Sequence, residues 1–182
     1  MEKKKNDFIA QGSILAIASI LVRVMGMIYR IPMTAIIGDK GNGFYSYAYS
    51  VYTILLLLSS YSLPLAVSKM VSAKAQLGQW RNVKRVFICA IAFAIGIGTT
   101  FGLIVLIGAQ FFTRVFFHSE LAAIALRFMA PTILIMALLG VFRGFFQGLQ
   151  NTLPTAVSQI VEGLINAIMS VVFAYFLFDF GH

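Results

Sequence analysis

Five apolar segments, each long enough to cross a lipid bilayer as an α-helix, make up most of this chain. Crossing the roughly 30 Å hydrocarbon core of a bilayer takes about 20 predominantly apolar residues. The segments lie at residues 8–37, 44–67, 86–112, 121–146 and 154–178. Hydrophobic residues are 60% of the 182 and charged residues only 11%, less than half the roughly 25% of soluble domains. We predict an all-α, polytopic membrane helix bundle of about five transmembrane helices, in a single domain over residues 1–182.

The first ten residues, MEKKKNDFIA, carry the basic flank of a signal peptide. The apolar run that follows is too long for a signal peptide, contains Arg23 and Arg30, and lacks a small-x-small cleavage site. We therefore expect this run to be retained as the first helix.

The placement of the positive charge, +8 in total, predicts how the chain is oriented. Connections on the cytoplasmic side of membrane proteins carry an excess of Lys and Arg. Only Lys40 and Arg114 fall on the opposite side, against eight residues on the predicted cytoplasmic side: Lys3, Lys4, Lys5, Lys69, Lys74, Arg81, Lys84 and Arg85. The N-terminus is predicted to be cytoplasmic and the C-terminus outside. The charge follows the connections between spans, so no nucleic-acid partner is expected.

The basic stretch 68–85 has two readings. It is either an interfacial helix lying on anionic lipid or a solvated loop with no special role.

The first span contains a polar stripe. At 100° per residue its members fall within about 80° of one another; they are Ser19, Arg23, Gly26, Arg30 and Thr34. A charge facing lipid near the bilayer centre costs at least ~2.5 kcal/mol, so the stripe must face a protein interior or an aqueous cavity. Gly26 and Pro32 weaken the helix in the same region, where a kink or break is expected.

The fifth span contains a matching stripe, formed by Thr155, Ser158, Gln159, Glu162 and Asn166. Glu162 lies about eight residues, or roughly 12 Å, from the cytoplasmic end of its helix. A carboxylate at this depth needs a nearby cation to stay charged, and the arginines of the first span are the natural candidates. One reading is a buried ion pair that only fixes helix register. One carboxylate does not neutralise two arginines, however.

Surplus positive charge in a membrane cavity attracts an anion, and the planar donor fork of arginine suits phosphate. The candidate substrate-binding residues are therefore Arg23, Arg30 and Arg127, although Arg127 is close enough to the outer end of its span to reach the interface. A proton or sodium pump would instead place carboxylates inside its first helices, and the interiors of the first four spans contain none.

Small residues at four-residue spacing predict close helix packing. They are Gly98 and Gly102 in the third span and Gly140, Gly144 and Gly148 in the fourth. With one cysteine, Cys89, and two histidines, no metal-ligand spacing exists. Glycine-rich phosphate loops and nucleophile motifs are absent too. We expect no cofactor, no metal and no enzymatic activity.

Several stretches resemble one known group. They are GSILAIASILVRVMGMIYRIPM, IIGDKGNGFYSYAYSVY, SLPLAVSKMVSAK and, most specifically, RGFFQGLQNTLPTAVSQIVEGLINAI. The chain resembles the polysaccharide-transporter and lipid II flippase branch of the MATE-like multidrug/oligosaccharidyl-lipid/polysaccharide exporter superfamily, of the stage V sporulation protein B type. The likeness runs from about residue 8 to residue 178.

The resemblance implies a transporter of 12 to 14 helices in two lobes around a cationic cavity, which moves a lipid-linked, diphosphate-bearing sugar between leaflets. It implies a cavity role for Arg23. The family pattern often places a second arginine six residues later, where this chain has Tyr29 followed by Arg30. Gln159 and Glu162 match the polar fifth helix of the family.

Five spans are less than one lobe of such a transporter, and two facing repeats create its midplane site. We therefore expect the chain to act as the N-terminal part of a flippase, together with membrane lipids, a lipid-linked diphosphate sugar, and the second lobe or a partner chain. The stop shortly after the fifth span favours a truncated product. Two alternatives are a cation-coupled multidrug exporter of the same superfamily and a non-transporting partner subunit.

Overall fold

The computed structural model describes residues 2–57, 62–117 and 121–179. Their elements are five α-helices: α1 Glu2–Leu56, α2 Leu63–Gln76, α3 Trp80–Phe117, α4 Leu121–Gly148 and α5 Leu153–Asp179. Among the described residues, four stretches are long and apolar enough to cross a bilayer: Gly12–Ile36, Trp80–Val115, Ala122–Gly148 and Leu153–Val172. The predicted all-α, polytopic membrane bundle is confirmed.

The first helix, α1, is interrupted at Gly38, whose φ of 72° and ψ of 174° are not helical. Glycine adopts a positive φ without the steric cost that a Cβ would impose. The break therefore lies at Gly38 and not at Gly26 or Pro32, where the sequence predicted it. Residues 39–56 continue as helix, so the turn expected at 38–43 is reduced to one residue.

By density of internal contacts, the chain divides into two compact units. The first unit is Met1–Asn42 with Gln150–His182, and the second is Gly43–Leu149. The first unit thus holds the N-terminal segment of α1 together with α5. The second unit holds the C-terminal segment of α1 with α2, α3 and α4.

In the second unit, α3 and α4 pack antiparallel through small residues. A Cβ added to Gly98 would lie 2.9 Å from the Cα of Leu134, and one added to Gly102 would lie 3.3 Å from the carbonyl oxygen of Ala130. As residue numbers rise along α3, those of the contacted residues fall along α4, so the two helices run in opposite directions. Missing side chains let the backbones approach this closely.

The C-terminal segment of α1 and then α2 run parallel to α4 in one register. The Thr132 hydroxyl donates a hydrogen bond to the Tyr52 hydroxyl at 3.1 Å, across 80 positions of sequence. The same offset pairs Gly144 with Pro64, whose backbone would contact a Cβ added to the glycine. Residues 43–56 and 63–76 therefore follow successive parts of α4. Together they form one interrupted crossing.

The second predicted span, 44–67, covers the C-terminal segment of α1 and the start of α2. The helix α1 ends at Leu56 and α2 begins at Leu63, and residues 58–61 lie outside the described part. The basic stretch 68–85 is mostly helical and not a loop, and its position at the membrane interface stays a prediction. Residues 68–76 complete α2, where Val71 is fully buried, and α3 begins at Trp80.

In the first unit, the N-terminal segment of α1 runs parallel to α5. Val22 and Met25 approach Gly163, and Tyr29 approaches Asn166, so residue numbers rise together along both helices. Two membrane helices with the same direction are separated by an odd number of crossings. Because α3 and α4 supply two of these, we predict that segment 43–76 supplies a third, which would add one crossing to the four candidate spans.

Candidate functional site

The arginines of α1 lie on an open face of the helix. Between Gly12 and Ile36, all described, Ala18 and Met33 alone are buried. Arg23 and Arg30 are both exposed, and seven residues of helix separate them by about 10 Å along the axis. Two cations thus stand on one face of a candidate membrane span, and no described residue covers that face.

The hydroxyl groups of the same stripe bond to their own helix. Ser19 donates to the carbonyl oxygen of Leu15 at 2.9 Å. Thr34 donates to the carbonyl oxygens of Arg30 and Ile31 at 3.0 and 2.9 Å. Such local bonds satisfy a hydroxyl without a partner helix. The guanidinium groups therefore dominate the chemistry of this face.

The polar stripe of α5 contains one unusual acceptor. The Oε1 atom of Gln159 is buried and accepts no hydrogen bond within the described part of the chain. Its neighbour Ser158 donates to the carbonyl oxygen of Thr155 at 2.8 Å. Glu162, one turn further along, is half-buried. A buried acceptor without a donor is costly, which sets Gln159 apart from the other polar residues of this stripe.

Contact between α1 and α5 runs through residues that the sequence did not single out as a pair. A Cβ added to Gly163 would lie 3.3 Å from methyl groups of both Val22 and Met25. The Nδ2 atom of Asn166 donates to the Tyr29 hydroxyl at 3.5 Å. Tyr29 stands where the family pattern has an arginine, and Gly163 directly follows Glu162. The one sequence signal for this contact was that the Tyr29 hydroxyl and the Asn166 amide could form a hydrogen bond.

The contacts set the rotation of α1 about its axis. Val22, Met25 and Tyr29 share one side of the helix, and at 100° per residue their centre lies about 100° from that of the arginine stripe. Arg23 and Arg30 thus both lie to the same side of the face that packs against α5. An ion pair between either arginine and Glu162 stays a prediction.

The remaining predicted residues lie in the second unit, except Gly26. Arg127 is exposed on α4. Gly140 is buried, and a Cβ added to Gly148 would lie 2.7 Å from the carbonyl oxygen of Ser68. At Gly26 a Cβ would meet nothing within 4 Å. This glycine makes no close helix contact among the described residues.

Comparison with known proteins gives this geometry a context. The family model described as polysaccharide biosynthesis protein matches residues 8–180. The lipid II flippase MurJ of Bacillus subtilis (strain 168) is 27% identical over 163 residues, which are 85% of this chain and 30% of that protein. Stage V sporulation protein B of the same organism is 27% identical over 161 residues, or 88% of this chain and 31% of the relative.

A third relative, the uncharacterized membrane protein YabM of B. subtilis, is 28% identical over 159 residues. This chain covers 29% of YabM, so it spans about three tenths of the length of each of these relatives. No solved structure matches the chain. Because the family model covers nearly the whole sequence, and the described helices are those of a multi-pass membrane protein, this chain belongs to the polysaccharide biosynthesis protein family.

Proposed function

We propose that this chain forms the N-terminal part of a flippase that moves a lipid-linked, anionic sugar precursor across the plasma membrane for cell-wall or polysaccharide assembly. One relative is named a lipid II flippase and another a sporulation protein. The role is transport rather than catalysis. The N-terminus is cytoplasmic and the C-terminus outside in this proposal.

The observation that carries the proposal is the pair of exposed arginines in the membrane span of α1. Each charge would cost at least ~2.5 kcal/mol if it faced lipid. Two arginines at this position therefore lower the stability of the inserted helix, which favours a functional reason for them. A water-filled cavity or a second lobe on this face would remove that cost. Guanidinium forks on such a cavity wall bind phosphate oxygens in pairs.

Residues of α5 supply the rest of the same site. Gln159 offers its buried acceptor to a donor such as a sugar hydroxyl. Glu162 balances part of the positive charge, which keeps the phosphate from binding too tightly to be released. Arg127, in the second unit, stays a candidate substrate-binding residue.

The test is a flipping assay on the complete reading frame that contains this segment, reconstituted in vesicles with a fluorescent lipid-linked diphosphate sugar. Arg23→Ala should abolish flipping, and Arg23→Lys should restore only part of it, because an ammonium group lacks the planar fork. The matched control is Lys84→Ala, because Lys84 is an exposed basic residue near the start of α3. This variant should flip the lipid at the wild-type rate. Wild-type flipping by Arg23→Ala would refute the cavity role.

A further inference from the structure

A second feature lies in the second unit, between α2 and α3. The helices α2 and α3 form an antiparallel hairpin through the turn at residues 77–79. Between them lies a cavity of about 490 Å³. Its walls are almost wholly apolar, and those the argument uses are Ala66 and Met70 from α2 and Val86, Cys89 and Phe93 from α3.

The cavity is a groove open to its surroundings. Met70 is 48% exposed and Phe93 56% exposed, so both rims of the groove lack a cover among the described residues. From Arg85 to Phe93 the groove follows eight residues of α3, or about 12 Å. One leaflet provides about 15 Å of hydrocarbon. The groove therefore has nearly the depth of a single leaflet.

The charged end of the groove is the end nearest the α2–α3 turn. Arg85 is the one charged residue among those that line it in the described chain. Lys74 lies one turn beyond Met70 on the same side of α2 by helical periodicity. Lys84 precedes Arg85 but points about 100° away, off the groove. The basic residues of this region are those that predict a cytoplasmic location.

An apolar slot of one leaflet's depth, with a cation at its interfacial end, matches an anionic lipid in both shape and charge. We propose that the α2–α3 groove binds one acyl chain of an anionic membrane phospholipid, with Arg85 holding the headgroup phosphate. Basic pockets between membrane helices on the cytoplasmic side bind anionic headgroups in this way. The guanidinium group of Arg85 donates to the phosphate oxygens, and the side chains of Met70 and Phe93 lie on either side of the acyl chain. This inference does not depend on the flippase proposal.

Cys89 provides a direct probe, because it is the only cysteine in the sequence and lies exposed in the groove. Bimane attached to Cys89 would be followed in phosphatidylcholine vesicles that contain a small fraction of nitroxide-labelled lipid. One series carries the nitroxide on phosphatidylglycerol and the other on phosphatidylcholine, at the same acyl position. We expect phosphatidylglycerol to quench the fluorophore more strongly at equal mole fraction.

The variants separate a built site from general attraction. Arg85→Gln should lower the preference for phosphatidylglycerol about fivefold, the effect of one cation at a lipid surface. Lys84→Gln makes the same charge change off the groove and should leave most of the preference. Ala66→Phe fills the slot and should reduce quenching by both lipids.

Three results would overturn the proposal. Equal quenching by the two lipids would remove the headgroup role, and equal losses in Arg85→Gln and Lys84→Gln would reduce it to surface charge. An absence of quenching by either lipid would mean that protein, not lipid, covers the groove. Native mass spectrometry of the unlabelled chain checks the same preference without the fluorophore, since wild type and Lys84→Gln should retain phosphatidylglycerol under conditions where Arg85→Gln loses it.

Discussion

The carbonyl oxygen of Pro64 lies 2.5 Å from the point where a Cβ on Gly144 would stand. No side chain fits there unless the backbone moves, because Pro64 on α2 and Gly144 on α4 belong to helices that pack together in the second unit. The contact also keeps α2 in register with α4, since Ser68 meets Gly148 at the same offset. The absence of a side chain at Gly144 therefore allows α2 and α4 to pack closely.

Gly144→Ala should destabilise the chain by about 1–3 kcal/mol, the usual cost of overpacking a core. The measurement is thermal unfolding in detergent followed by size-exclusion chromatography. Gly96→Ala is the matched control, since the same substitution on α3 meets nothing within 4 Å. Because alanine favours a helix more than glycine does, Gly96→Ala should leave stability unchanged or raise it by up to about 1 kcal/mol. Equal unfolding temperatures for the two variants would contradict the close α2–α4 contact.

Five crossings predict that the N-terminus and the α2–α3 turn lie on the same side of the membrane. In a Cys89→Ser background, Asn6→Cys and Gln79→Cys should react with an impermeant maleimide from the same side, and Val115→Cys from the other. With only four crossings, Asn6→Cys and Gln79→Cys would react from opposite sides. Intact and opened vesicles distinguish these results.

Tyr29 and Asn166 should be coupled energetically, because the amide of one helix donates to the hydroxyl of the other. A double-mutant cycle with Tyr29→Phe and Asn166→Ala should give a coupling of about 0.6 kcal/mol, the average for hydrogen bonds between membrane helices. Ser50→Ala serves as the control partner, because its hydroxyl bonds the carbonyl oxygen of Ser46 in its own helix. The coupling energy between Ser50→Ala and Tyr29→Phe should be zero. If it were as large as that between Asn166→Ala and Tyr29→Phe, the latter would not report the hydrogen bond.

Gln159→Leu should raise the stability of this chain by up to about 1 kcal/mol, because it removes a buried acceptor that has no donor in the described part. In the complete reading frame the same variant should lower the rate of flipping. A loss of stability would mean that the amide already has a structural partner. The unfolding temperature of this chain and the flipping rate of the complete reading frame, each measured with and without the substitution, separate the two roles.

Much of the fold could be predicted from the apolar runs alone. Residues 121–146 and 154–178 were expected to be helices, and α4 and α5 cover them with a few residues more at their ends. The limits were predictable because a membrane helix must satisfy its backbone within a long apolar stretch. The second crossing was less predictable, since the length of an apolar run does not reveal that α1 ends at Leu56 and α2 begins at Leu63.

The candidate site divides in the same way. Helical periodicity alone placed Arg23 and Arg30 on one side of α1, because the angle between residues of one helix is set by its geometry. The rotation of that helix against α5 depends on side-chain packing across the interface, where Gly163 admits Val22 and Met25. The sequence by itself therefore determined the membrane location, the helices and their polar faces. Only the tertiary structure decided that Tyr29, and not an arginine, meets Asn166, because the close approach at Gly163 turns the arginines to the edge of the contact.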